Sequence, residues 1–144
     1  MSQLIDKPLL GPLIALNGWA FAMEGLMYKR RVPALKKYGV TFDPATVKQQ
    51  KADKLPPFVI WAADNYNNLQ EQPTQFYAVA LALTLLDVKD KITVRLAWAY
   101  VAFRVVHSLI HVSVNQPYPR FLVFAASSFT LVGMAAKAAW ELFF

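Results

Sequence analysis

The chain has 144 residues, of which 56% are hydrophobic and only 17% are charged. This apolar fraction exceeds that of ordinary soluble domains, and the length suits a single domain over residues 1–144. The absence of cysteine excludes a disulfide framework, a thiolate metal site and a cysteine nucleophile. The net charge of +6 comes from one short segment, and its place between apolar segments disfavours nucleic acid as a partner.

Four apolar or amphipathic segments follow one another along the chain. Each reaches the roughly 20 residues that a membrane-spanning helix needs. The sequence predicts helices over residues 8–28, 57–86, 92–114 and 120–143. The last three are joined by short connectors, which suit antiparallel neighbours in a bundle. We therefore expect an all-α integral membrane protein with four transmembrane helices in a lipid bilayer.

The connector between the first two helices carries the excess positive charge. Residues 29–55 hold eight lysines and arginines against two aspartates, and Pro33, Gly39 and Pro44 predict a loop. A basic block beside apolar segments follows the positive-inside rule, so this loop is expected in the cytoplasm and both termini on the opposite side. Because no targeting segment is apparent, a bacterial inner membrane is the expected location.

The first half of the second helix is too polar to face lipid. Asp64, Asn68, Glu71 and Gln75 recur at helical spacing and share one face, which must contact protein or water. Pro73 cannot donate a backbone hydrogen bond to the preceding turn, so it predicts a bend.

The third helix carries a second polar face, made by Tyr100, Arg104, His107 and His111. A central membrane arginine costs about 2.5 kcal/mol or more on insertion scales and normally has a partner. Glu71 and Asp64 are the available partners, and Glu71 is the expected one, in an ion pair that holds two helices together. Alternatively, the two polar faces converge on a ligand pocket open to the cytoplasm.

The stretch "FRVVHSLIHVSVNQPYPR" resembles the third-helix motif of the MAPEG family, the membrane-associated proteins in eicosanoid and glutathione metabolism. In the family's microsomal glutathione transferases and prostaglandin E synthases this motif is similar to R-x-x-H-T-x-x-Y, with another arginine sixteen residues after the first. Arg104, His107 and Arg120 match that spacing. Ser108 replaces the threonine, and His111 replaces the tyrosine.

The second helix is also similar to the family. Its "DNYNNLQE" resembles the family element R-A-H-x-N-x-x-E, which aligns Asn68 and Glu71 with the family's asparagine and glutamate. Asp64 and Tyr66 replace the arginine and the histidine. An aspartate would repel a glutathione carboxylate by roughly a few kcal/mol in a partly desolvated pocket. Nearby cations are expected to compensate for it, namely Arg30, Arg31, Lys36 and Lys37.

The resemblance implies a left-handed four-helix bundle that assembles as a homotrimer and binds glutathione between protomers on the cytoplasmic side. It also implies a glutathione transferase or peroxidase that acts on lipophilic electrophiles or hydroperoxides. Arg120 is the expected catalytic residue, because a fixed positive charge favours the thiolate form of a thiol. The other expected glutathione-binding residues are Asn68, Glu71, Arg104, His107, His111, Arg30 and Arg31.

Two other functions remain open at this stage. Asp64 favours a non-catalytic scaffold or accessory subunit in which the polar faces serve assembly only. The spacing of His107 and His111, with Glu71 as a third ligand, would suit a metal ion. Arg104 lies one turn away on the same face and would repel a cation, so no metal ligands are assigned.

Overall fold

The structure, a computed structural model, describes residues 6–144, and all the regular elements in this range are α-helices. The helices are α1 Leu10–Lys37, α2 Val47–Lys54, α3 Pro57–Glu71, α4 Pro73–Leu85, α5 Lys91–Ser113 and α6 Pro117–Phe143. The prediction of an all-α protein is confirmed.

The first helix ends nine residues later than predicted. It continues to Lys37 and contains Pro33, and a further helix, α2, lies within the predicted loop at residues 29–55. The loop prediction is therefore wrong over both stretches. A proline removes one backbone hydrogen bond, but a helix that packs along its neighbours tolerates this loss.

Gly39 ends the first helix, as expected of a breaker. Its φ of 60° lies in the left-handed region, which glycine adopts without a steric cost. The Gly39 amide donates to the carbonyl of Lys36 at 3.3 Å, and the Val40 amide donates to the carbonyl of Leu35 at 3.0 Å. These two bonds form a Schellman motif, which satisfies carbonyls at the helix end.

The predicted second helix is interrupted where Pro73 was expected to bend it. Gln72 separates α3 from α4 and keeps helical dihedral angles, with φ −59° and ψ −37°. The two helices therefore continue as one polypeptide segment across a local break.

The apolar core joins α1, α4, α5 and α6. Phe76 of α4 stacks on Tyr100 of α5, with ring centroids 4.4 Å apart and planes at 7°. Leu16 and Met134 are also completely buried in this cluster. This cluster lies mainly in the half of the bundle where α4 ends and α5 begins. The opposite half holds a smaller apolar cluster, Met23, Leu69 and Val112, together with buried polar side chains.

Within residues 6–144, two helices are long and apolar enough to cross a membrane, namely α5 and α6. Large apolar side chains of α6 also point away from the protein, and Phe129 is 78% exposed. A surface of this kind suits contact with acyl chains. These helices are consistent with a membrane protein, whereas the number of spans stays a prediction.

Candidate functional site

A pocket of about 320 Å³ opens where α3, α5 and α6 come together. Three of the predicted site residues line it, one from each helix. The lining consists of Asn68, His107 and Arg120 with Pro117, Phe121 and Phe124. One side of the pocket is therefore polar and the other is aromatic. A polar co-substrate and an apolar one can meet in such a pocket.

Arg104 lies beside this pocket and is completely buried. Its Nη2 donates to Oδ1 of Asn68 at 2.6 Å and to the Asn68 carbonyl at 3.1 Å. Its guanidinium also lies over the ring of Phe124, 5.6 Å from the centroid. Arg104 thus links α5 to α3 and α6.

The predicted Arg104–Glu71 ion pair is wrong. Glu71 is exposed, and the ion pairs within residues 6–144 do not include it. The α3 helix ends at Glu71, and Arg104 reaches the preceding turn instead. A neutral amide costs less to bury than a carboxylate, so Asn68 is the cheaper partner in a dry interior.

Several buried polar atoms around Arg104 lack a hydrogen-bond partner among the described residues. They include Nε and Nη1 of Arg104, Nδ1 of His107 and of His111, and Oγ of Ser108. Buried polar groups are normally paired, so a cluster of unpaired ones marks a place where a polar ligand or water can bind. The rings of His107 and His111 are 5.8 Å apart and nearly perpendicular, at 88°.

Arg120 lies near the start of α6, and a residue of the connector before this helix holds its side chain in place. Its Nη1 donates to Oδ1 of Asn115. Asn115 has a φ of 47°, a left-handed conformation that asparagine tolerates better than most residues. Sequence reasoning did not identify Asn115, although an asparagine shortly before Pro117 is a recognisable turn signal.

Arg30 and Arg31 do not reach the pocket. Nη1 of Arg30 donates to the carbonyls of Phe58 and Val112, both at 3.1 Å. It therefore joins α1 to the start of α3 and to the end of α5, where carbonyls lack helical partners. Arg31 lines a separate cleft beside α2, and Asp64 lines the same cleft.

Gln72, at the break between α3 and α4, was also missed by sequence reasoning. Its Nε2 donates to Oγ of Ser128 at 2.7 Å, and its Oε1 accepts from the Tyr100 hydroxyl at 3.3 Å. It accepts a longer bond from Ser127 at 3.4 Å. The sequence signal for Gln72 is its position just before Pro73. A polar side chain at such a helix break can reach across the bundle to another helix.

The structure thus brings together Asn68, Arg104, His107, His111 and Arg120. Glu71, Arg30 and Arg31 lie outside this group. Among residues 6–144, no three histidine, aspartate or glutamate side chains cluster closely enough to hold a metal ion.

The helical fold, the two helices that are long and apolar enough to cross a membrane, and the polar pocket are consistent with a helical membrane protein. The sequence profile of the MAPEG family matches residues 9–140, nearly the whole chain, so the chain belongs to the MAPEG family. It is therefore a membrane protein of the family concerned with eicosanoid and glutathione metabolism. Neither a curated protein nor a solved structure matches the chain.

Proposed function

We propose that the protein is a glutathione-dependent transferase or peroxidase that acts on lipophilic electrophiles or hydroperoxides. The observation that carries this proposal is the pocket in which Arg120 lies with Asn68 and His107 beside Phe121 and Phe124. The cation and the polar groups suit an anionic thiol co-substrate. The aromatic side, on a helix with lipid-type exposure, suits an apolar co-substrate from the bilayer.

Arg120 stabilises the reactive form of glutathione. A free thiol has a pKa of about 8.5, so it is mostly protonated at neutral pH. A guanidinium keeps its proton at any physiological pH and favours the thiolate beside it. The thiolate sulfur then attacks an electrophilic carbon, forms a C–S bond and releases the leaving group with its electron pair.

With a hydroperoxide, the thiolate attacks the terminal oxygen and the O–O bond breaks. The products are an alkoxide, which takes a proton, and a glutathione sulfenic acid. A second glutathione then displaces water from this sulfenic acid and forms the disulfide.

The unpaired donors beside the pocket supply the binding groups for the rest of glutathione. Nε and Nη1 of Arg104 can donate to a carboxylate without losing the bond from Nη2 to Asn68. His107 and His111 supply further hydrogen-bonding nitrogens. On this proposal Arg104 has both an architectural and a binding role.

The polar outer face of α3 and α4 supports assembly as a homotrimer. Glu71 and Gln75 are exposed in the single chain. Polar side chains at membrane depth must be covered by protein or water, and a neighbouring copy would cover them. In such a trimer Glu71 would face a neighbour, which would explain why it does not contribute to the pocket of its own chain.

We further propose that four segments cross a bacterial inner membrane, with residues 29–55 in the cytoplasm. The α1 helix has 28 residues and is about 42 Å long, which exceeds the roughly 30 Å of a hydrocarbon core. The second span would be α3 and α4 together, whose break is tolerated because its polar groups are bonded within the protein.

The thiolate absorbance of bound glutathione tests this function. We expect wild-type protein to form thiolate at a pH below that of free glutathione, and Arg120→Gln to lose this shift together with conjugation of a chloronitrobenzene. Asn115→Ala serves as a comparison, because it loosens Arg120 but keeps the charge, and should retain part of both signals. Thiolate formation that is unchanged in Arg120→Gln would contradict the assigned role.

A non-catalytic scaffold is the second candidate function. Arg104 and Arg120 already have partners within the chain, in Asn68 and Asn115, as they would in a purely architectural network. A scaffold would show no thiolate signal with any variant. It would lose its assembly when Asn68 or Gln72 is replaced.

A further inference from the structure

A second cleft, of about 480 Å³, lies between α1, α2 and α3 and is separate from the glutathione pocket. We name it the basic cleft. Three cationic side chains line it, from Arg31, Lys48 and Lys51, together with Asp64 and Asn67. Its remaining surface is apolar and includes Val47, Leu55, Val59 and Ile60. Three cations against one carboxylate leave a net charge of +2 (3 − 1).

The cations of this region have no carboxylate partners within residues 6–144. Each ion pair in that range involves Lys7, Lys89 or Lys137, none of which belongs to the region. Besides Asp64, two nearby carboxylates accept hydrogen bonds from neutral groups. Asp43 accepts from the Ala45 amide and the Thr46 hydroxyl, and Asp53 accepts from the Gln49 amide group. The positive charge of the basic cleft is therefore left for an external anion.

On the proposed four-span arrangement, the position of the basic cleft along α1 places it at the membrane surface. Counted from Leu10, a hydrocarbon core of roughly 30 Å is crossed in about 20 residues, near Lys29. Arg31 then lies just beyond the core, in the headgroup layer. Tyr28, three residues before Arg31 on α1, is 53% exposed, as suits a side chain at a lipid interface.

We propose that the basic cleft binds an acidic phospholipid whose headgroup carries hydroxyls, such as phosphatidylglycerol. The lipid phosphate would lie among Arg31, Lys48 and Lys51, and the start of an acyl chain would lie on the apolar surface. Asp64 and Asn67 supply acceptors for headgroup hydroxyls. A soluble phosphate would gain nothing from the apolar surface. This assignment also gives Asp64 a role outside the glutathione pocket, and it does not depend on the proposed chemistry.

Native mass spectrometry of delipidated, detergent-solubilised protein tests the proposal. Phosphatidylglycerol, phosphatidylcholine and inorganic phosphate are the probes. Lys48→Gln/Lys51→Gln removes two charges from the basic cleft, whereas Lys36→Gln/Lys37→Gln removes two charges from the same region outside it. We expect one tightly bound phosphatidylglycerol per chain. A charge near a membrane surface changes affinity about fivefold, so the cleft variant should weaken this binding about 25-fold and the control by much less.

Three results would overturn the proposal. Equal losses in the two double variants would mean that the attraction is diffuse. Equal binding of phosphatidylcholine would mean that charge is not recognised. Equal binding of inorganic phosphate would mean that the site takes a soluble anion and not a lipid. Since Lys36, Lys37 and Lys48 are exposed and Lys51 is only half-buried, both variants are expected to fold, and circular dichroism checks this.

Discussion

Arg104 shows how a membrane-embedded arginine is kept in this protein. Its partner is a neutral amide and its guanidinium lies over an aromatic ring, so the charge is solvated without a second buried charge. This arrangement leaves two of its nitrogens, Nε and Nη1, without a hydrogen-bond partner among the described residues. The same residue can therefore hold α3 and α5 together and take part in binding.

Replacing Asn68 tests this arrangement. Asn68→Leu keeps a similar volume but removes the acceptor of a buried cation, and we expect it to lower the free energy of unfolding by about 2–3 kcal/mol. Glu71→Gln, three residues away and exposed, should change it by less than about 0.5 kcal/mol. Unfolding in mixed micelles measures both. A larger loss of unfolding free energy in Glu71→Gln than in Asn68→Leu would contradict this arrangement and support an Arg104–Glu71 ion pair.

The neighbouring residues Arg30 and Arg31 allow a second comparison of stability. Arg30→Gln removes the bonds to the carbonyls of Phe58 and Val112, so we expect a loss of about 1–2 kcal/mol in the free energy of unfolding. Arg31→Gln should leave stability nearly unchanged, because Arg31 lines an open cleft. Similar effects of the two changes would contradict the role given to Arg30. Glutathione affinity should be unaffected in both.

At the residue level, the sequence predicts which face of a helix a side chain lies on better than it predicts which residue that side chain bonds. The spacing of Arg104, His107 and His111 places them on one side of a helix, and the structure buries all three there. The choice between Asn68 and Glu71 depends on where α3 ends and which side chain is cheaper to bury. Neither spacing nor charge complementarity contains that information.

At the level of helices, α5 is the one among the described helices that begins with a side-chain cap. The side chain of Asp90 accepts from the Thr93 amide at 2.9 Å and from the Thr93 hydroxyl at 2.7 Å. These bonds hold the pKa of Asp90 below its ordinary value of 3.8. The stabilisation is therefore complete above pH 3.8 and is lost as the pH falls through the lower, folded-state value.

Two variants of Asp90 separate the cap from its charge. Asp90→Ala should cost about 1 kcal/mol at neutral pH, whereas Asp90→Asn retains a capping side chain and should cost much less. Because asparagine does not titrate, Asp90→Asn should also lose less stability than the wild type between pH 5 and pH 3. Melting temperatures at several pH values measure this. Identical pH profiles would show that the cap does not titrate in this range.

The bounds of the helices show which residue types end or interrupt a helix in this chain. Gly39 ends α1 because its left-handed conformation permits the Schellman bonds, and this was predictable from the residue type. Pro33 did not end the helix, because packing of α1 along α3 compensates for one missing bond. The break at Pro73 was predictable as well, but the crossing of Gln72 to α6 depends on tertiary placement.

At the scale of the whole molecule, the number of membrane spans is the main open prediction. The chain has no cysteine, so single cysteines can be placed freely for labelling. With four spans, Ala45→Cys and Gln116→Cys should react with an impermeant maleimide from one side, and Lys91→Cys from the other. If only α5 and α6 cross the bilayer, Ala45→Cys would instead react from the same side as Lys91→Cys.

The central claim is that this chain binds glutathione through the pocket around Arg120, and calorimetry on purified protein tests it most directly. We expect saturable glutathione binding to the wild type, a loss of at least about tenfold in affinity for Arg120→Ala, and retained binding for Arg31→Gln, which removes an equal charge outside the pocket. Absence of binding to well-folded wild-type protein would contradict the account and favour the scaffold. Equal binding by the wild type and Arg120→Ala would place the glutathione site elsewhere.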